Sequence, residues 1–90
     1  MTTNLDDYRA TKQAAVTVYT KPNCQQCRAT FRWLDKRGFT YTTVDISQEL
    51  EALQFVQELG HMAAPVVYVS SPDGDDHWSG FNPNKLGVLL

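Results

Sequence analysis

Apolar positions in this chain fall into short blocks whose spacing changes between glycines and prolines, so the pattern marks out alternating strands and helices. Residues 15–19 include Val16, Thr17, Val18 and Tyr19 and are stopped by Pro22 and Asn23, which predicts a buried first strand. From 24 to 37 the period changes: Cys27, Phe31 and Leu34 share one face of a helix that Gly38 is placed to end. Residues 39–45 then alternate aromatic and hydroxyl side chains, as a second, more exposed strand does. Strand, helix and strand in that order favour parallel pairing.

Ser47 is placed to cap a second helix, with Glu49 and Glu51 in its first turn, Leu50, Leu53, Val56 and Leu59 as its apolar stripe and Gly60 at its end. Residues 65–69 are continuously apolar, as in a central strand, and Pro72, Asp73, Gly74 and Asp75 supply turn chemistry for an antiparallel return through His77 and Trp78. Asn82 before Pro83 matches a helix N-cap and first position; Leu86, Leu89 and Leu90 would dock that short helix, which Gly87 weakens. The order βαβα followed by ββα describes an α/β domain with one mixed four-stranded sheet flanked by helices. Residues 1–14, with Asp6, Asp7, Arg9 and Lys12 around Leu5 and Tyr8, read as a flexible extension or one marginal helical turn before a single domain over 15–90.

Ninety residues with 42% hydrophobic content suit one domain and leave no room for a second. No run of about 18 apolar residues occurs and the first residues hold no apolar segment, so neither a membrane span nor a secretory signal is expected, and the cytoplasm is the expected compartment. A formal net charge of −2 gives no general drive towards nucleic acid or anionic membrane. The expected partners are therefore proteins or small molecules, and the expected state is a monomer.

Lys21, Pro22, Asn23, Cys24, Gln25, Gln26 and Cys27 contain both cysteines of the chain, two residues apart at a predicted helix start. Two cysteines cannot form a disulfide framework, so metal binding and redox chemistry compete. A disulfide reductase needs one thiolate to attack and a second thiol near enough to resolve the mixed disulfide. At a helix N-terminus Cys24 lies near unpaired N–H groups that favour its thiolate, while Cys27 lies one turn in and more buried. Lys21 adds positive charge nearby or is an ordinary solvated lysine; Pro22 fixes the backbone, and neutral Gln25 and Gln26 bring no tuning charge. Zinc normally takes four ligands, and only His61 and His77 remain as nitrogen donors, sixteen residues apart and each at an element boundary.

Four segments together resemble the NrdH-redoxins, a glutaredoxin-like family: residues 16–22 leading into Cys24, Gln25, Gln26 and Cys27; then Ala64, Pro65, Val66 and Val67; then His77, Trp78, Ser79, Gly80 and Phe81. The resemblance implies a thioredoxin-like fold, which has the element order above. It also implies thioredoxin-like activity, with electrons passing from NADPH through thioredoxin reductase to a class Ib ribonucleotide reductase. Cys24 would attack and Cys27 resolve, with a redox-active Cys24–Cys27 disulfide and no bound cofactor or metal. Pro65 would be a cis proline opposite that disulfide, leaving the backbone of small Ala64 open to a substrate strand. Trp78, Ser79, Gly80 and Phe81 would help form an apolar surface for the reductase, with Phe81 in the core and Trp78 either a docking anchor or core.

Departures from the family are Asn84 where Asp is common and Gln25 where a small apolar residue is commoner, along with the longer N-terminal extension. Glutaredoxins bind glutathione with a Gly-Gly turn followed by an acidic residue; Ser79, Gly80 and Phe81 offer no such pair, which argues against tight glutathione binding. The competing readings are a glutathione-dependent glutaredoxin and a module holding zinc or an iron–sulfur cluster. Arg28, Arg32 and Lys36 recur every four residues as a basic stripe, either a solvated face or a surface that steers acidic partners.

Overall fold

The computed structural model describes residues 14–88, so most of the extension and the expected docking of Leu89 and Leu90 lie outside the described residues. Seven elements follow in order: β1 (Ala15–Thr20), α1 (Gln25–Lys36), β2 (Tyr41–Asp45), α2 (Leu50–Glu58), β3 (Val66–Ser71), β4 (Gly74–Ser79) and α3 (Pro83–Val88). The strands form one mixed sheet in the order β2-β1-β3-β4. β1 runs parallel to β2, with Val16 opposite Tyr41, and antiparallel to β3, with Val18 opposite Val67. β3 pairs antiparallel with β4, setting Val67 against Trp78 and Tyr68 against His77.

That register sorts the side chains by face. Val16, Val18, Val67, Val69 and Trp78 point to one side, where Leu34 of α1 and Leu86 of α3 complete a buried cluster rimmed by Phe31, Trp33, Phe39 and Phe81. Each fully buried valine or leucine there contributes about 1.5–3 kcal/mol. On the opposite face Tyr19 and Tyr68 both contact the ring of Phe55 from α2, with centroids 5.7 and 5.6 Å apart, and Val56 is the buried residue of that helix. The central strands β1 and β3 are thus covered on both sides, which is why residues 65–69 carry no polar alternation.

Gly38 and Gly60 end α1 and α2 as expected. Each has positive φ, at 71° and 94°, and each forms the same pair of closing bonds: Gly38 N–H donates to Asp35 O and Phe39 N–H to Leu34 O, while Gly60 N–H donates to Gln57 O and His61 N–H to Val56 O. Asn82 caps α3, its Oδ1 accepting from Lys85 N–H at 3.1 Å. Lys85 also pairs with Asp76 of β4 at 3.1 Å, tying the helix to the strand edge.

Ser47 does not cap α2. Its N–H and hydroxyl both donate to Asp45 Oδ1, at 2.8 and 2.6 Å, because the carboxylate at the end of β2 competes locally for these donors. The helix instead starts at Leu50 with Glu49 at the cap making no side-chain bond, which leaves only Glu51 in the first turn. Leu50 is consequently 67% exposed rather than part of the stripe, while Leu53 and Leu59 are half-buried.

Candidate active site

The loop between β1 and α1 sets the position of both sulfurs. Lys21 and Pro22 are exposed, and Asn23 takes φ 60°, a left-handed conformation that asparagine tolerates better than other non-glycine residues. The reversal places Cys24 at the N-cap of α1 with extended backbone, φ −113° and ψ 105°. Its carbonyl accepts the first helical bond from Arg28 N–H, and its Sγ accepts from Cys27 N–H at 3.1 Å. Sulfur thus occupies the place of a capping oxygen, against the open N–H groups and positive end of the helix.

Cys24 and Cys27 form a disulfide with their Cα atoms 5.2 Å apart, inside the normal range for such a bond. Cys27 is 1% exposed and Cys24 7%. The order of burial is the expected one, but the outer sulfur is itself largely covered.

Two distant segments are linked to the start of α1 in a chain of hydrogen bonds, residues 79–81 to Gln26 and residues 63–65 to residues 79–81. The Ala64–Pro65 peptide is cis, and Pro65, fully buried, immediately precedes β3. Its carbonyl accepts from Gly80 N–H at 2.7 Å. The next amide, Phe81 N–H, donates to Gln26 Oε1 at 2.9 Å, and Ser79 Oγ donates to Ala63 O at 2.8 Å. Gly80 has φ 88°, and a Cβ placed there would meet Gln26 Oε1 at 3.0 Å. Three sequence regions, 24–27, 63–65 and 79–81, therefore share one hydrogen-bonded surface.

Trp78 takes the core alternative of its two readings, and Phe81 sits at the rim of the core rather than within it. Trp78, offered as a possible docking anchor, is 6% exposed and packs in the core, since its register opposite Val67 turns it towards α1 and α3. Its Nε1 has no hydrogen-bond partner among the described residues. The chain then leaves the sheet at Gly80, so Phe81, expected in the core, is half-buried at the rim beside Gln25 and Gln26. Lys21 and Ala64 line a separate recess of about 230 Å³ with Leu53, Gln57 and His61 of the α2 side. Met62, at the outer end of that loop, is 88% exposed.

His61 and His77, read as unrelated boundary residues, are brought together. His61 Nε2 lies 2.7 Å from His77 Nδ1, one ring nitrogen donating to the other, and His77 stacks on Tyr68 with ring planes 4° apart. Burial, and then electrostatic repulsion from the adjoining His77 ring, hold His61 below the ordinary imidazole pKa. Among the described residues no three His, Cys, Asp or Glu side chains are grouped so as to hold a metal ion, and no helix is long and apolar enough to cross a membrane.

Sequence reasoning did not identify the link from Gln26 to Phe81, the turn at Asn23 or the burial of Thr30. Thr30 is fully buried because its hydroxyl donates to Gln26 O at 2.9 Å, a bond that satisfies it inside the helix. The Asn23 signal was present: asparagine directly before a helix start is a common left-handed residue.

What this arrangement can do chemically is exchange thiols for disulfides through a two-cysteine centre. Residues 16–72 match the family model described as glutaredoxin. The chain is 36% identical over 74 residues to the glutaredoxin-like protein NrdH of Lactococcus lactis, covering 82% of this chain and 97% of that protein. It is 35% identical to the Escherichia coli protein of the same name, covering 82% and 86% respectively. The solved structure of NrdH-redoxin from Escherichia coli, described there as having a thioredoxin-like activity profile, superposes with a TM-score of 0.75 at 34% identity, covering 84% of this chain and 95% of that one.

Proposed function

This chain belongs to the glutaredoxin family, as one of its NrdH-type thiol–disulfide oxidoreductases, and on that footing we propose that it carries electrons from NADPH, through thioredoxin reductase, to a class Ib ribonucleotide reductase. The position of Cys24 Sγ as the helix cap, accepting the Cys27 N–H, supports the roles assigned to the two sulfurs. In the reduced protein the same donors favour a Cys24 thiolate, which attacks one sulfur of the partner's disulfide and displaces the other as a thiolate. Cys27 then gives up its proton and attacks Cys24 Sγ, releasing the partner's second sulfur and closing the disulfide. The partner gains two electrons and two protons. Thioredoxin reductase then reduces the Cys24–Cys27 disulfide with two further electrons drawn from NADPH and two protons, and the pair's midpoint potential is expected between about −270 and −200 mV.

Ala64 and Pro65 are assigned to the substrate strand, and Lys21, Pro22, Gln25, Gln26, Ser79, Gly80 and Phe81 to partner contact. Trp78 supports that surface from beneath. A glutathione donor is disfavoured by the turn after β4: the Gly80 N–H is bonded to Pro65 O and the Phe81 N–H to Gln26, so neither is open to a tripeptide carboxylate. The protein would work as a monomer in the cytoplasm, without nucleic acid or membrane. Cys24→Ser should abolish disulfide reduction in a coupled NADPH assay; retained turnover overturns the assignment of the attacking sulfur.

A further inference from the structure

The positive charge of this acidic chain is concentrated on α1 and its C-cap residue. Four of its eight Lys and Arg residues are Arg28, Arg32, Lys36 and Arg37, within ten positions, although the chain as a whole carries −2. All four are exposed, and among the described residues none is in an ion pair. The single carboxylate of α1, Asp35, is engaged at Oδ1 by the Tyr41 hydroxyl at 2.8 Å.

These side chains border a groove. Its first part, about 380 Å³, is lined by Gln25, Gln26, Arg28, Arg32 and Phe81, and so begins at the two residues that separate the cysteines in sequence. A second part of about 530 Å³ shares Arg32 and Phe81 and continues past Lys36 to Arg37, with Asp35, held by Tyr41, as the one carboxylate among its lining residues. The floor is apolar at Phe81 and at Trp33, over which the Arg37 guanidinium lies 3.9 Å from the ring centroid. The twelve residues of α1 give the groove a length of roughly 18 Å.

We propose that this groove receives an extended, acidic segment that flanks the disulfide of the protein partner. The proposal rests on the carrier function above and specifies the chemistry of its partner. Cations four residues apart on a helix are about 6 Å apart along its axis, and alternate side chains of an extended peptide are separated by roughly 6.6 Å. Carboxylates at every second position therefore fall opposite Arg28, Arg32 and Lys36 in turn. An apolar side chain facing the other way along the segment meets Phe81. Five or six extended residues span the groove, and its start beside Gln25 delivers the segment's cysteine to Cys24.

The test uses full-length protein reduced with dithiothreitol and freed of it, mixed with two synthetic peptide disulfides. The peptides share one cysteine pair; one is flanked by alternating Glu and Leu, the other by alternating Gln and Leu. Three exposed ion pairs together are worth on the order of tenfold in rate constant. At low salt the acidic peptide should be reduced about tenfold faster, and the ratio should fall towards one as salt rises through about 0.5 M. Arg28→Gln/Arg32→Gln/Lys36→Gln should bring the low-salt ratio to about one. A ratio near one in the unaltered protein, or a tenfold ratio unmoved by the substitutions, overturns the groove while leaving the carrier function standing. Reduction of neither peptide overturns both. The salt series on unaltered protein remains informative should the triple variant fail to fold.

Discussion

Replacing Gly80 by alanine tests how the three segments of the active site are held together. Two costs follow from the structure. At φ 88° the new Cβ is in a region that L residues avoid, at roughly 1–2 kcal/mol. The Cβ would also meet Gln26 Oε1 at 3.0 Å, and the flexible amide can swing away only by giving up the Phe81 N–H, a bond with a net worth of about 0.5–1.5 kcal/mol. Gly80→Ala should therefore lose about 2–3 kcal/mol, and Gln26→Ala only the smaller second part. The two losses share one hydrogen bond, so the double variant should be more stable than their sum by roughly 0.5–1.5 kcal/mol. Urea unfolding of the oxidised proteins measures all four corners of the cycle. Strictly additive losses, or a Gly80→Ala cost below about 0.5 kcal/mol, would refute the reasoning.

Three further outcomes are expected. Cys27→Ser should stall at the mixed disulfide, visible by mass spectrometry as a covalent adduct with the partner through Cys24; free turnover of that variant would contradict the resolving role. Trp78→Ala should lose about 3–5 kcal/mol of stability as a core truncation, with activity per folded molecule nearly kept; a large drop in activity without destabilisation would restore the docking-anchor reading. Because the folded-state pKa of His61 is depressed, its neutral form is favoured on folding. That contribution is complete above about pH 6.5 and is lost as pH falls through the unfolded value towards the folded one. Unfolding measured at pH 7.5 and pH 5 should show a smaller acid-induced loss for His61→Gln than for the unaltered protein, and equal losses would rule this out.

Local signals carried most of the fold. Gly38, Gly60, Asn82 and Pro83 mark helix ends through backbone conformation and capping chemistry that act within a few residues, and all four do so in the structure. Ser47 misled because two residues earlier Asp45 offers a stronger acceptor for the same donors. At the active site the C-x-x-C pair was legible from spacing alone, but the cis bond at Pro65 was not: base rates favour trans, and only the family resemblance pointed the other way. Trp78 was left open between core and docking anchor, and Phe81 was placed in the core rather than at its rim, because a side chain's face depends on the β3–β4 register and on where the chain leaves the sheet, neither of which local hydrophobicity specifies. The Gln26–Phe81 bond and the His61–His77 pair join residues 55 and 16 positions apart, beyond the reach of any periodicity.

The electron donor tests the central claim most directly. Insulin disulfide reduction by the full chain is followed as NADPH oxidation in parallel, with thioredoxin reductase in one reaction and with glutathione reductase plus glutathione in the other. Turnover should be sustained with thioredoxin reductase, absent for Cys24→Ser, and at background with glutathione. Sustained turnover with glutathione alone would contradict the account and make the chain a glutathione-dependent glutaredoxin.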